Sequence, residues 1–215
     1  MTKRRKVGNL LALAVLSTVI QRPMHPYEIA SFLKTRGKDR DMPIKWGSLY
    51  TVVANLEKHG FLEATENART GSRPERTIYR ITEAGIAELR DWTGELISTP
   101  VAEQTSFEAG LSVLGALHPD EAIRLLGTRL TLLTTSLAEQ RAEYDRTLTE
   151  LPRMVLAEWD YQLALLAAEV EWVRGFLADL SSGAMPGMDL WREWHETGEI
   201  PAEIADLAER GSVKE

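Results

Sequence analysis

Ser48, Thr51, Asn55 and Lys58 recur at steps of three and four, which places two hydroxyls, a carboxamide and an ammonium along one side of a helix. These groups hydrogen-bond base edges and phosphates. Asn can pair bidentately with adenine, whereas Ser and Thr discriminate less. On the other side of the same turns stand Leu49, Val52, Val53 and Leu56, an apolar face that must be buried. Gly60 follows Lys58 and His59, as expected of a glycine just past a helix end with cations in its last turn. Downstream, Arg69 and Arg73 lie in a nine-residue loop, Asn67 to Glu75, rich in turn residues. Guanidinium groups on such a loop suit phosphates or a minor groove. Lys45 and Tyr50 are the further phosphate candidates beside the helix, and Lys3-Arg4-Arg5-Lys6 forms a basic arm ahead of everything else.

These residues need a scaffold, and the flanking sequence supplies one. A first helix is expected over roughly Asn9 to Gln21, with Leu10, Leu13, Ala14 and Val15 apolar. A second opens at Pro26, uses Tyr27, Ile29, Ala30 and Leu33 as its inner face, and runs toward Gly37. The charged connector Lys38 to Pro43 leads into the polar-faced helix. Residues 61–66 and 76–81 have strand composition and partial two-residue alternation, so the arginine loop joins a hairpin. Helix, helix, connector, helix, hairpin is the order of a winged helix-turn-helix. Thr82 is the expected cap of a fourth helix with Ile86, Leu89, Thr93, Leu96 and Ile97 at helical spacing, ended by Pro100.

The charge is distributed to match. Residues 1–99 hold 16 Lys+Arg against 11 Asp+Glu, a balance of +5, and residues 100–215 hold 9 against 21, a balance of −12. Only the first part is suited to a polyanion. There are no cysteines, so disulfides and thiolate metal sites are excluded. The run Leu10 to Ile20 is too short to span a bilayer and lacks a secretory cleavage site, which makes a cytoplasmic protein the expectation. The four histidines show no ligand spacing, and no phosphate loop or nucleophile elbow occurs. No enzyme, no metal and no cofactor is expected.

The second half reads as helical. Ser106 to Leu117 forms a short helix stopped by His118-Pro119. Two long seams follow, each in alternating steps of three and four: Ile123, Leu126, Leu130, Leu133, Leu137, Gln140, Tyr144, Thr147, Leu151, then Leu156, Trp159, Leu163, Leu166, Val170, Val173, Leu177, Leu180. Tyr161, Leu165, Ala168, Trp172 and Phe176 add a second stripe on the last helix, about 200° round from the first at about 100° per residue. A helix apolar on two sides must be covered twice, and a second copy of the chain is the simplest cover for one of them. Leu163, Leu166, Val170, Val173 and Leu177 are the candidate dimerisation residues. Trp92, Trp159, Tyr161 and Trp172 are candidates to line an apolar pocket, where rings would stack on an aromatic effector. Residues 181–188 break the pattern, and the tail beyond has no legible role.

In the recognition helix, the hairpin and the segment after it, the chain resembles the PadR family of bacterial transcriptional regulators. The resemblance is to the longer subclass with a virulence-activator-like helical C-terminal domain. It is carried by Tyr27-Glu28-Ile29, Gly47-Ser48-Leu49-Tyr50, Leu56-Glu57, Gly60, and Tyr79-Arg80-Ile81-Thr82 with Gly85. Two positions depart from the family: Pro26 stands where a glycine is common, and Lys45-Trp46 where a proline is common. The resemblance implies a dimeric repressor, sometimes an activator, on a palindromic operator, often released by a small aromatic compound.

The expected fold is therefore mostly α: an N-terminal winged helix-turn-helix of three helices plus a β-hairpin wing, followed by a long-helix C-terminal dimerisation domain. Residues 1–99 would be the DNA-binding domain with its linking helix, 100–180 the dimerisation and effector domain, and 181–215 an extension. The alternative is a winged-helix protein-interaction module without specific operator binding.

Overall fold

The computed structural model describes residues 5–36, 46–65, 77–202 and 205. The chain divides into two compact units, Met1–Ala102 and Glu103–Glu215.

In the first unit, α1 (Leu10–Val19) starts at Asn9, whose side chain accepts from the Leu11 amide at 2.8 Å. Leu11 through Leu16 are all buried, so α1 is the central helix rather than an amphipathic one. Its one buried polar side chain, Thr18, donates to the Ala14 carbonyl at 2.8 Å and so leaves no unmet donor. Helix α2 (Pro26–Thr35) has Pro26 at its first position and a reciprocal cap: His25 Nδ1 accepts from the Tyr27 amide, and the His25 amide donates to Glu28 at 2.9 Å. Ile29 and Leu33 bury its inner face.

A tight turn, Trp46–Ser48, leads into α3 (Leu49–Lys58). Gly60 ends it in the left-handed conformation, φ 74°. The Phe61 amide donates to Leu56 at 2.9 Å and the Gly60 amide to Glu57 at 2.8 Å, the Schellman pattern. Strands β1 (Leu62–Thr65) and β2 (Ile78–Ile81) pair antiparallel with Leu62 opposite Ile81. Arg80 forms an ion pair with its cross-strand partner Glu63 at 2.7 Å. On the other edge of β2, Met24 and Tyr79 exchange two backbone hydrogen bonds of 3.0 Å. Helix α4 (Glu83–Ser98) is capped by Thr82, whose Oγ1 accepts from Gly85 at 3.0 Å. Its inner residues are Gly85, Leu89 and Trp92. Of the expected face, Leu89 packs on the core and Ile86 is half-buried, whereas Thr93, Leu96 and Ile97 are exposed.

The second unit contains α5 (Ser106–Ser112), α6 (Pro119–Leu148), α7 (Ala157–Ser182) and α8 (Met188–Thr197). Helix α5 is shorter than expected, passing into a tight turn at Leu114–Ala116. His118 stops nothing: its Nδ1 accepts from the Asp120 amide at 3.2 Å and Pro119 takes the first helical position, so this pair starts α6. At 1.5 Å per residue, the 30-residue α6 is about 45 Å long. It packs along α7 through the expected seams. Leu163, Val170, Val173 and Leu180 are buried, and Leu166 and Leu177 are partly covered. Among the described residues, no helix is long and apolar enough to cross a membrane.

Candidate nucleic-acid interface

Helix α3 is fixed by one side and open on the other. Leu49, Val52, Val53 and Leu56 are each at most 5% exposed in the core of the first unit, while Tyr50, Thr51, Asn55 and Lys58 are exposed. Burying four such side chains contributes on the order of 6 to 10 kcal/mol, enough to fix the rotation of the helix and hence the direction of its polar face. Ser48 is half-buried at the start of α3. Lys45, Lys3, Arg4, Arg69 and Arg73 lie outside the described residues.

The base of the hairpin is tied to α3. Burial and the neighbouring Glu57 carboxylate on the helix together raise the Tyr79 pKa above its ordinary value. At the opposite end of α3, Trp46 packs partly buried against the core and carries the Lys34 ammonium 4.9 Å from its ring centre. Arg36 at the end of α2 stacks over Phe32 at 4.6 Å. The Lys34–Trp46 pair was not legible, because its proximity depends on the connector between α2 and α3, whereas Arg36 and Phe32 stand four residues apart on one helix.

Arg5 corrects the reading of the basic arm. Its side chain is 4% exposed and donates to Glu88 at 2.8 Å, to Asp91 at 3.0 Å and to Glu95, all on α4, with its guanidinium 5.2 Å over Trp92. Burial works against the charge, but the hydrogen bonds to Glu88, Glu95 and Asp91 outweigh it and hold the guanidinium above its ordinary pKa. A group so engaged is a structural tie and is not available to a phosphate.

The four aromatic residues proposed to share a pocket have different packing partners within their own units. Trp92 is buried in the core of the first unit. Trp159 packs edge-on against the buried Tyr144 at 5.7 Å, near one end of α7. Tyr161 is exposed. Trp172 belongs to another group, edge-on to Phe107 at 5.9 Å and stacked on Phe176 at 4.9 Å; Arg129 covers Phe107 at 3.7 Å and pairs with Glu169.

The dimerisation residues also need correction. Leu163, Val170 and Val173 are at most 2% exposed because α6 of the same chain covers them, and Leu166 and Leu177 lie in the same seam. The side left open is the other stripe, where Tyr161, Leu165 and Trp172 are 65%, 52% and 48% exposed.

Residues 15–91 match the sequence model of the Transcriptional regulator PadR-like family. The chain is 21% identical over 177 residues to the negative transcriptional regulator PadR of Bacillus subtilis (strain 168), covering 79% of this chain and 96% of that protein. Crystal structures of Bacillus subtilis PadR with operator DNA and with p-coumaric acid each match with a TM-score of 0.65 at 20% identity, over 80% of this chain and 99% of theirs. The Vibrio cholerae virulence activator AphA matches with a TM-score of 0.55 at 18% identity, over 80% of this chain and 98% of its own. These structures share the winged helix with C-terminal helices found here. By sequence over residues 15–91 and by fold, the chain is similar to the PadR-like transcriptional regulators.

Proposed function

We propose that the chain is a cytoplasmic, sequence-specific DNA-binding repressor that acts as a homodimer on a palindromic operator. The observation that carries this reading is the exposed Tyr50-Thr51-Asn55-Lys58 face of α3, held outward by four buried residues. In a helix-turn-helix such a face enters the major groove. Thr51 and Asn55 read base edges; Ser48 stands at the leading end; Tyr50 and Lys58, with Lys45, Arg69, Arg73, Lys3 and Arg4, meet phosphates. The first unit is the DNA-binding domain. The second is the dimerisation domain, supported by the exposed Tyr161-Leu165-Trp172 stripe, which would bury apolar surface against a second copy.

An aromatic effector is the proposed release signal. The half-exposed Trp172 beside Phe107 and Phe176 offers ring faces for stacking, and a relative of the same fold has been solved with p-coumaric acid.

Selection of duplexes from a random library by the full-length protein tests the reading. Enrichment of a two-fold symmetric site is expected, bound with a stoichiometry of two chains. Asn55→Ala should relax preference at one position per half-site, at a cost of about 1 to 3 kcal/mol. No enrichment over unrelated DNA sinks the operator reading and favours a protein-interaction module. Trp172→Asp should yield monomers by light scattering; an unchanged dimer excludes the proposed interface.

A further inference from the structure

We propose that Lys34, held in place by the ring of Trp46, is a phosphate-contacting residue at the leading end of the recognition helix. The inference rests on the DNA-binding reading above and adds to it a contact that the polar face of α3 does not include.

Trp46 opens the turn that runs directly into α3, and its indole is partly buried against the core of the first unit. One side of the ring is therefore fixed by packing. Against it lies the ammonium of Lys34, an exposed residue in the last turn of α2. A ring face attracts the charge of an ammonium without accepting its three N–H donors in directed hydrogen bonds. The contact thus limits where the cation sits and leaves its donors to an anionic oxygen.

Arg5, also basic and also in the first unit, directs its donors to three carboxylates of α4. Among the described residues, Lys34 has the ring of Trp46 and no carboxylate in ion-pair range. The N-terminal end of α3 is the end nearest base edges in a helix-turn-helix and carries the positive pole of the helix dipole. A phosphate there meets the pole and the Lys34 ammonium together. Arg36, stacked on Phe32 one turn-end away, adds positive charge to the same end of α2.

The test titrates the full-length protein with its selected duplex and with an unrelated duplex of equal length, across a series of KCl concentrations. Lys34→Gln is expected to weaken both by a similar factor, about fivefold near physiological salt, and to flatten the salt slope by about 0.9. Lys34→Arg should retain the slope, because a guanidinium also stacks on indole. Trp46→Phe keeps the charge and should retain the slope while weakening affinity; thermal melts establish that each variant is folded. Unchanged slope and affinity in Lys34→Gln overturns the contact. Unchanged affinity in Trp46→Phe overturns the holding role of the ring. If the unaltered protein prefers no duplex over the unrelated one, the DNA-binding reading has failed first, and this inference falls with it.

Discussion

Gly85 stands so close to the Phe61 carbonyl that a Cβ at this position would lie 2.1 Å from the oxygen and 2.8 Å from a side-chain carbon of Ile81. The glycine lets the first turn of α4 press against the chain where α3 hands over to β1. Thr82 closes the same corner, donating through Oγ1 to Gly60 at 2.6 Å while accepting from Gly85. Because the obstructing atom is backbone, Gly85→Ala cannot be relieved by a side-chain rotation. We expect it to cost about 2 kcal/mol or more in urea unfolding of the first unit. Tolerance within a few tenths would show the corner to be soft.

Removing Arg5 should destabilise the first unit although it lies in the basic arm. Arg5→Met leaves Glu88, Asp91 and Glu95 clustered without their shared cation, next to Trp92. Since Asp91 is half exposed, water offsets part of the loss, and a cost of about 2 kcal/mol is expected rather than the larger figure for a fully buried pair. Urea titration monitored through hydrogen exchange of the α4 amides measures it. Arg5→Lys should recover only part, because one ammonium cannot reproduce the planar fork. Wild-type stability in Arg5→Met would return this residue to the solvated arm.

The Tyr79 to Glu57 contact makes an alkaline prediction. Burial and the Glu57 charge raise the Tyr79 pKa above its ordinary 10.0. A group whose folded value is raised contributes stability that is complete below the unfolded value and is lost as pH rises through the folded one. The protein should therefore lose stability above pH 10, as the phenolate forms beside Glu57. Tyr79→Phe should remove that component, flattening the alkaline limb of a plot of melting temperature against pH. An identical limb in the variant would show that other groups produce it.

In the second unit, α8 is clasped onto the junction of α5 and α6. Trp191 Nε1 donates to the Leu117 carbonyl at 3.0 Å, His195 Nε2 to the Gly115 carbonyl at 2.9 Å, and the Trp194 ring lies over Gly115. Trp191→Phe, which keeps a ring and loses the donor, should cost about 1 kcal/mol. Trp191→Ala should cost about 3 kcal/mol and raise hydrogen exchange across Met188–Thr197. Unchanged exchange in the alanine variant would mean that α8 is held by other contacts.

What could be read from the sequence follows from which signals are local. The α3 face was legible because Leu49, Val52, Val53 and Leu56 repeat with the helical period and Gly60 marks the end. The long seams were legible for the same reason. The inner face of α4 was not, because Gly85 makes its contact by having no side chain, so it adds nothing to an apolar period. Arg5 resembled its neighbours in the arm; its partners are 83 to 90 residues away. On α7 the period revealed two stripes but not which of them α6 would take. His118-Pro119 carries the same letters whether a helix stops before it or starts after it.

Tyr79 also lies in the middle of a three-wide row of backbone, with Ala64 opposite it on one edge and Met24 bonded on the other. The hairpin is thus stitched at its root to the corner between α1 and α2, and through Glu57 to α3. A shift of the hairpin at this row would strain its bonds to the corner ahead of α2 and its contact with α3 together.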